Sequence, residues 1–223
     1  VDRAPGYASG DGDWTDTRAG LMVHDDNLNA VSSLSAEDSV GETNSGDGAT
    51  LTSFINNAVA ASPATNYALI VWDHGGGLSG TSWDDSAGGD NLKLAEFRSA
   101  VLASNLPHFD FIGFDACLQG MLEQCWDLRD LSDVVVASQE LEPGDGWEYQ
   151  SFLGALAADP AMTAFDFANA VVDTYGERYA GESDTTLSAV RTAGLDALNQ
   201  SLNAFAATVM DIGPGLLPGL RAA

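Results

Sequence analysis

A histidine and a cysteine, the pair of side chains that supports nucleophilic catalysis by a thiolate, each follow a short apolar run in this sequence. His74 comes after the run at 67–72 and directly before three glycines, and Cys117 comes after the run at 109–114. An imidazole beside a thiol promotes the thiolate, which is the reactive form. The glycines allow the backbone to approach a substrate carbonyl closely.

The elements that would position these two residues alternate between strands and helices. This alternation predicts a mostly parallel sheet with helices on its faces, in which chemistry gathers beyond the carboxyl ends of the strands. One loop, one helix and one strand separate the two motifs, so we expect them to emerge side by side. The predicted strands are 20–24, 67–72, 109–114, 134–137 and 187–190, and the predicted helices are 50–61, 94–104, 118–131, 149–157, 164–180 and 195–211. The runs at 67–72 and 109–114 are typical of strands buried on both faces.

Cys117 is predicted to open the helix at 118–131. The free amides and partial positive charge of a helix N-terminus would lower the pKa of its thiol. The amides of Gly75 and Cys117 are candidate donors to an oxyanion. A lone histidine or cysteine at a strand end is more often structural, so spacing alone leaves that alternative open. The second cysteine, Cys125, lies further along the same predicted helix, beyond disulfide reach, and both thiols are expected to be free.

Composition narrows the classes of partner. The chain carries 33 acidic against 8 basic residues, a formal net charge of -25, which argues against binding nucleic acid. No apolar run is long enough to cross a bilayer, so we expect no membrane partner. Residues after Val1 show no signal-peptide core, so a targeting segment would have been removed or would lie upstream.

Several segments together resemble the clostripain family of cysteine peptidases, relatives of caspases, legumains and gingipains. The resemblance rests on the His-Gly and Ala-Cys motifs after neighbouring strands and on an acidic Glu-Pro-Gly loop. The matching segments are 6–7, 14–18, 68–77, 111–118 and 137–144. It implies a caspase-like three-layer α-β-α sandwich with a mostly parallel central sheet.

The resemblance also implies an activity and its residues. Cys117 would be the nucleophile, His74 its catalytic partner, and the amides of Gly75 and Cys117 the oxyanion hole. Peptides or proteins would be cleaved after Arg or Lys through an acyl-enzyme, with Asp115 and Asp145 binding the basic side chain. Two carboxylates would hold that cation by charge-assisted hydrogen bonds. The alternative for Asp145 is that it is a solvated turn residue with no role in substrate binding.

The sequence departs from the family in two ways. Members usually begin with a further buried strand, which is not found ahead of Gly6, so the chain is read as one peptidase domain over 1–223 or a fragment lacking that strand. Some members cut themselves after a basic residue between the two motifs. The candidates here, Lys93 and Arg98, fall at or inside a predicted helix, and we do not predict processing.

Other chemically capable residues are expected to be structural or solvated. This set comprises the histidines His24 and His108 and the loop acids Asp84, Asp85 and Asp90. The loop acids do not follow the spacing of an EF-hand, so no metal site is assigned, although calcium is left open because clostripain needs it. No zinc-ligand spacing is present.

The expected whole is a monomeric, secreted or cell-surface cysteine endopeptidase that requires no cofactor. The alternatives are a catalytically inactive domain of the same fold that binds basic peptides, and an acidic calcium-binding module in which His74 and Cys117 merely pack. Turnover of a basic peptide distinguishes the active peptidase from the inactive binding domain. The reactivity of the Cys117 thiol tests the calcium-binding alternative.

Overall fold

In the computed structural model, which describes residues 1–4, 14–23 and 33–213, helices cover both faces of a four-stranded sheet. The strands are β1 (Thr17–Arg18), β2 (Ser39–Gly41), β3 (Ala68–Trp72), β4 (Thr81–Asp84), β5 (Asp90–Leu92), β6 (Phe109–Asp115), β7 (Ser132–Ala137) and β8 (Ser188–Arg191). The helices are α1 (Gly48–Ala61), α2 (Leu94–Ala103), α3 (Leu122–Asp127), α4 (Tyr149–Ala158), α5 (Ala164–Arg178) and α6 (Leu195–Ile212). None of these helices is long and apolar enough to span a membrane.

The central sheet has the strand order β3-β6-β7-β8. The first three strands are parallel and β8 runs antiparallel to β7, so the predicted mostly parallel sheet is confirmed. Crossover connections through α2 and α3 join the parallel strands, as parallel pairing requires. The carboxyl ends of β3, β6 and β7 therefore lie at one edge of the sheet.

Alternation along the two central strands divides the core into two layers. Ile112 and Phe114 of β6 pack with α1, α2 and α3 on one face, where Phe97 and Val101 are almost fully buried. Phe111 of the same strand points to the other face, among aromatic side chains of α4 and α5. There Phe152 contacts Phe167 with ring centroids 5.7 Å apart. The result is the predicted α-β-α sandwich.

Three expectations about elements are wrong. The described residues of the predicted strand at 20–24, Gly20–Val23, form no strand, and His24 lies outside the described residues, as do Gly6 and Tyr7. The run at 67–72 is not buried on both faces. Within the described residues, β3 is an edge strand of the four-stranded sheet, and Trp72 is 63% exposed. The third expectation, a helix beginning directly after Cys117, concerns the site and is treated with it.

Candidate active site

Three loops meet at the carboxyl edge of the sheet, and each follows a parallel strand. Trp72 at the end of β3 is in register with Asp115 at the end of β6. His74 and Cys117 each lie two residues beyond this pair, so the parallel register brings the two motifs out together. The third loop, 138–147, follows β7 and supplies the acidic and aromatic residues described below.

The backbones of Gly75 and Cys117 are in direct contact. A Cβ built on Gly75 would lie 2.0 Å from the carbonyl oxygen of Cys117, which no side-chain-bearing residue could tolerate. The glycine after His74 is therefore required by this close approach. Thr81 fixes the loop from the other side, because its Oγ1 donates to the carbonyl oxygen of His74 at 3.1 Å. His74 itself is exposed.

Gln119 ties the histidine loop to the cysteine loop. Its side chain is buried, and its Nε2 donates to the carbonyl oxygen of Gly80 at 3.1 Å and to that of Cys117 at 3.3 Å. The two loops are thereby held by one amide as well as by the contact at Gly75. Spacing gave no indication of this residue, since a buried glutamine has no periodic signature.

Cys117 does not open a helix, contrary to the sequence prediction, because α3 begins only at Leu122. The chain between Cys117 and α3 is hydrogen-bonded to the third loop. The Leu118 amide donates to the Glu140 carbonyl at 3.0 Å, and the Gly120 amide donates to the Ser138 carbonyl at 2.6 Å. Leu118 has φ +62°, which a helix cannot accommodate. These contacts are distant in sequence and outweigh the local helical pattern.

The main chain of Glu142, in the third loop, lies against the Cys117 sulfur. The Glu142 N–H donates to the Cys117 Sγ at 3.3 Å, and the same Sγ lies 3.9 Å from the Glu142 carbonyl oxygen. Cys125 is different, since it is buried in α3 and burial raises the pKa of its thiol to about 11. Both cysteines are free, as predicted.

Asp115 is held at the base of the site. It is 3% exposed, and its Oδ2 accepts from the Trp147 amide at 3.1 Å and from the Tyr149 hydroxyl at 2.9 Å. Desolvation raises the pKa of its carboxyl despite these donors. Gly146, with φ +65°, packs so closely that a Cβ there would lie 2.7 Å from the same oxygen.

The carboxyl that approaches Asp115 is that of Glu142, not of Asp145. Glu142 and Asp115 interact through their side chains, and Glu142 Oε2 accepts from the Trp147 indole N–H at 3.1 Å. Asp145 instead lies on the surface and forms an ion pair with Arg178, whose Nη2 is 3.3 Å from its Oδ2. Sequence reasoning assigned no role to Glu142, although an acid in the loop before a tryptophan was the available signal.

The remaining candidates lie away from this group or outside the described residues. His108 is exposed, with its ring 3.2 Å from an Asp133 carboxylate oxygen. Lys93 precedes α2 and donates to the Ser79 carbonyl at 2.7 Å. Arg98 lies inside α2 and pairs with Asp130. These two basic residues are therefore placed on structured chain, as expected.

The acidic segment after the glycines agrees only in part with the solvated loop that the sequence predicted: Asp85 and Asp90 are exposed, whereas Asp84 is not. Residues 81–92 form the hairpin of β4 and β5, and Asp84 is buried, accepting from the Ser45 amide and the Ala87 amide at 2.8 Å each. Among the described residues, one group of three acids could hold a cation: the carboxylates of Asp2, Glu42 and Asp84, whose ligand oxygens lie within 4.8 Å of one another.

The family model, the curated relative and the solved structures that match this chain all point to one family. A family model described as the clostripain family matches residues 20–213. Clostripain of Hathewaya histolytica is 29% identical over 184 residues, which is 71% of this chain and 35% of that protein. The chain thus spans about a third of that curated relative.

Two solved structures resemble the fold. A secreted C11 cysteine protease from Bacteroides thetaiotaomicron, in complex with an irreversible peptide inhibitor, has a TM-score of 0.61 and 26% identity, covering 71% of this chain and 48% of that chain. An inactive zymogen C11 protease from Parabacteroides distasonis has a TM-score of 0.57 and 25% identity, covering 70% and 42%.

Proposed function

Because the chain belongs to the clostripain family, and because its fold brings the histidine and cysteine motifs into contact, we propose that it is a cysteine endopeptidase that cleaves after Arg or Lys. The observation that carries the proposal is the backbone contact between Gly75 and Cys117. This contact holds the chain directly after His74 against the backbone of Cys117.

In the proposed reaction, Cys117 attacks the scissile carbonyl and His74 transfers the protons. His74 accepts the thiol proton and later donates it to the leaving amine, so that a thioester acyl-enzyme remains. Water, deprotonated by His74, then hydrolyses the thioester. The Glu142 amide, 3.3 Å from Cys117 Sγ, helps to hold the sulfur in position for attack.

The amides of Gly75 and Cys117 are proposed to bind the oxyanion of the tetrahedral intermediate. Two observations support this proposal. Within the described residues, neither amide donates to a loop or turn carbonyl, and the backbones of the two residues are in contact. Fixed donors of this kind stabilise charge that develops in the transition state.

Selectivity for a basic side chain is proposed to come from Asp115 and Asp145. Asp115 is buried at the carboxyl end of β6, two residues before the nucleophile, where a cation inserted beside the scissile bond would reach it. Asp145 is engaged by Arg178, and a substrate cation that uses it would compete with that exposed ion pair. Exposed ion pairs contribute little to stability, so a substrate cation can replace Arg178 at small cost.

The test is hydrolysis of fluorogenic peptides that end in Arg, Lys, Asp or Ala, by this chain and by its Cys117→Ala variant. We expect cleavage after Arg or Lys alone, and a loss of at least about 10³-fold in kcat/KM in the variant. A folded chain that binds Arg peptides without cleaving them would instead identify the inactive binding domain.

The other properties expected from the sequence stay proposals. Secretion is supported by the secreted relative of known structure, and peptide or protein partners by the family. A single peptidase domain and a monomeric state are proposed as well. The proposed steps use side chains and amides of the chain, and calcium binding stays a separate prediction.

A further inference from the structure

Two acids form a pair beside the nucleophile and share Trp147 as a common donor. The Trp147 backbone amide donates to Asp115 Oδ2 at 3.1 Å, and its indole N–H donates to Glu142 Oε2 at 3.1 Å. The Glu142 amide reaches Cys117 Sγ at 3.3 Å, so the pair and the nucleophile are fixed by the same stretch of chain.

The number of hydrogen-bond donors differs between the two acids and indicates which of them retains the charge. Asp115 accepts from two donors, the Trp147 amide and the Tyr149 hydroxyl. Glu142 accepts from one, and its Oε1 is buried with no hydrogen-bond partner among the described residues unless it carries a proton. Two adjacent buried carboxyls do not both ionise readily. The arrangement therefore fits an Asp115 carboxylate that accepts from a protonated Glu142.

The surroundings of the pair offer no compensating cation. The groups that act on it electrostatically are Cys117 from the loop after β6, Tyr149 of α4 and Tyr175 of α5, none of which is basic. Burial first, and then the Asp115 carboxylate, raise the pKa of Glu142. Arg178, the nearby cation, is bound to Glu148, Asp145 and the Tyr179 hydroxyl.

We propose, building on the proposed function, that Asp115 and Glu142 together bind the substrate cation and that Glu142 releases its proton to solvent when the cation enters. The step balances: a neutral acid and a carboxylate become two carboxylates around one guanidinium, and one proton passes to water. Glu142 is thus a further specificity-determining residue of the site, acting beside Asp115 and in addition to Asp145.

This arrangement favours Arg over Lys. Two carboxylates can each accept from the planar fork of a guanidinium, whereas an ammonium is a compact point charge. It also links substrate binding to pH, because removing the Glu142 proton costs less as the pH rises. The KM of an Arg peptide should therefore fall with rising pH until Glu142 is ionised in the free protein.

The proton is counted by titration calorimetry of the Cys117→Ala protein with N-acetyl-arginine amide, in two buffers of different ionisation enthalpy at about pH 7. We expect a release of about one proton per ligand bound, since an ordinary glutamate, with a pKa near 4.3, would already be ionised there and would release none. N-acetyl-citrulline amide, an uncharged ligand of similar shape, should bind more weakly and release no proton.

The matched variants are Glu142→Gln and Glu140→Gln. Glutamine keeps a donor toward Asp115 and an acceptor for the Trp147 indole but carries no titratable proton, and Glu140 is an exposed acid two residues earlier in the same loop. Glu142→Gln should abolish proton release and raise the KM for an Arg peptide about tenfold, whereas Glu140→Gln should change neither.

Binding of the arginine ligand without proton release, or release that persists in Glu142→Gln, would overturn the inference. So would failure of the arginine ligand to bind. These results are distinguishable from failure of the proposed function, because the wild-type chain is assayed separately for hydrolysis of Arg peptides. Hydrolysis that is unchanged in KM and in pH profile by Glu142→Gln would refute the role of Glu142 alone.

Discussion

At the scale of single residues, the candidate site depends on two kinds of contact to the backbone of Cys117. One is the close approach of a glycine, and the other is a hydrogen bond from a buried side chain. Gly75 lies against the Cys117 carbonyl, and Gln119 donates to the carbonyls of Cys117 and Gly80. The loops that carry the proposed catalytic residues are thus held by neighbours with no proposed catalytic role. A change as small as one added methyl group at Gly75 would disturb this arrangement.

Gly75→Ala tests this contact. The added Cβ would lie 2.0 Å from the Cys117 oxygen, so one of the two loops must move. We expect kcat/KM to fall by about 10²-fold, because a displacement near 1 Å misplaces the nucleophile, and the free energy of unfolding to fall by about 1–3 kcal/mol. Peptide hydrolysis and urea unfolding measure the two effects.

Gly154→Ala is the control for that substitution. Gly154 lies in α4 with open space around its Cα, and alanine there should stabilise the helix by about 0.5–1 kcal/mol without changing hydrolysis. Wild-type kinetics in Gly75→Ala would show that the close contact is not needed to place the nucleophile.

At the scale of elements, sequence patterns predicted the four strands of the central sheet. They did not predict the short strands β1, β2, β4 and β5, and they misplaced one helix start. β3, β6 and β7 are recognisable in the sequence as short apolar runs. Their alternation with helices is enough to predict that His74 and Cys117 lie at the same edge of the sheet. The helix after Cys117 was misplaced because the chain at Leu118 is bonded to Glu140, a partner far away in sequence. Local periodicity carries no information about such partners.

The same limit explains why Glu142 was missed as a site residue while Asp145 was proposed. Both acids lie in one loop and have the same chemistry in the sequence. Their difference arises from the turn at Gly146 and from Trp147, whose two N–H groups bind Asp115 and Glu142, while Asp145 faces solvent and Arg178. Only the folded loop distinguishes them.

One ion pair joins α2 to the turn before β7 and gives a pH-dependent prediction. Arg98 donates through Nη1 and Nη2 to the two carboxylate oxygens of Asp130, at 2.6 and 2.7 Å, and this lowers the pKa of Asp130 to about 2. Because the folded-state pKa lies below that of the unfolded chain, the stabilisation is present above about pH 4 and is lost as the pH falls toward 2.

Asp130→Asn should therefore lower the free energy of unfolding by about 0.5–1 kcal/mol at neutral pH, a small amount because the pair is solvent-screened. The difference from wild type should vanish as the pH falls through this window. Urea unfolding at several pH values measures it, with the exposed Glu177→Gln as control. A constant difference at all pH values would mean that Asp130 acts through packing rather than charge.

At the scale of the whole molecule, the formal charge of -25 creates a field that attracts cations to the surface. If peptides with basic residues are the substrates, their encounter with the enzyme is assisted by this field as well as by Asp115. The assistance is long-range and is screened by salt, unlike contacts inside the site.

We accordingly expect kcat/KM for a peptide of net positive charge to fall several-fold as salt rises from about 0.01 M to about 1 M, over which the Debye length shrinks from roughly 30 Å to 3 Å. A peptide with the same Arg at the cleaved bond, but made neutral by distant acidic residues, should respond much less. Equal responses of the two peptides would exclude steering by the net charge.

The placement of Glu142 has a consequence for how the substrate specificity of such an enzyme could change. Its amide contacts Cys117 Sγ and its carboxyl contacts Asp115, so one residue joins the proposed nucleophile to the carboxylate that we propose binds the substrate cation. Mutations that relocate the loop to admit a new side chain would also move the amide away from the sulfur. New preferences are therefore most accessible through exchanges of side chain that leave the main chain of 138–147 where it is.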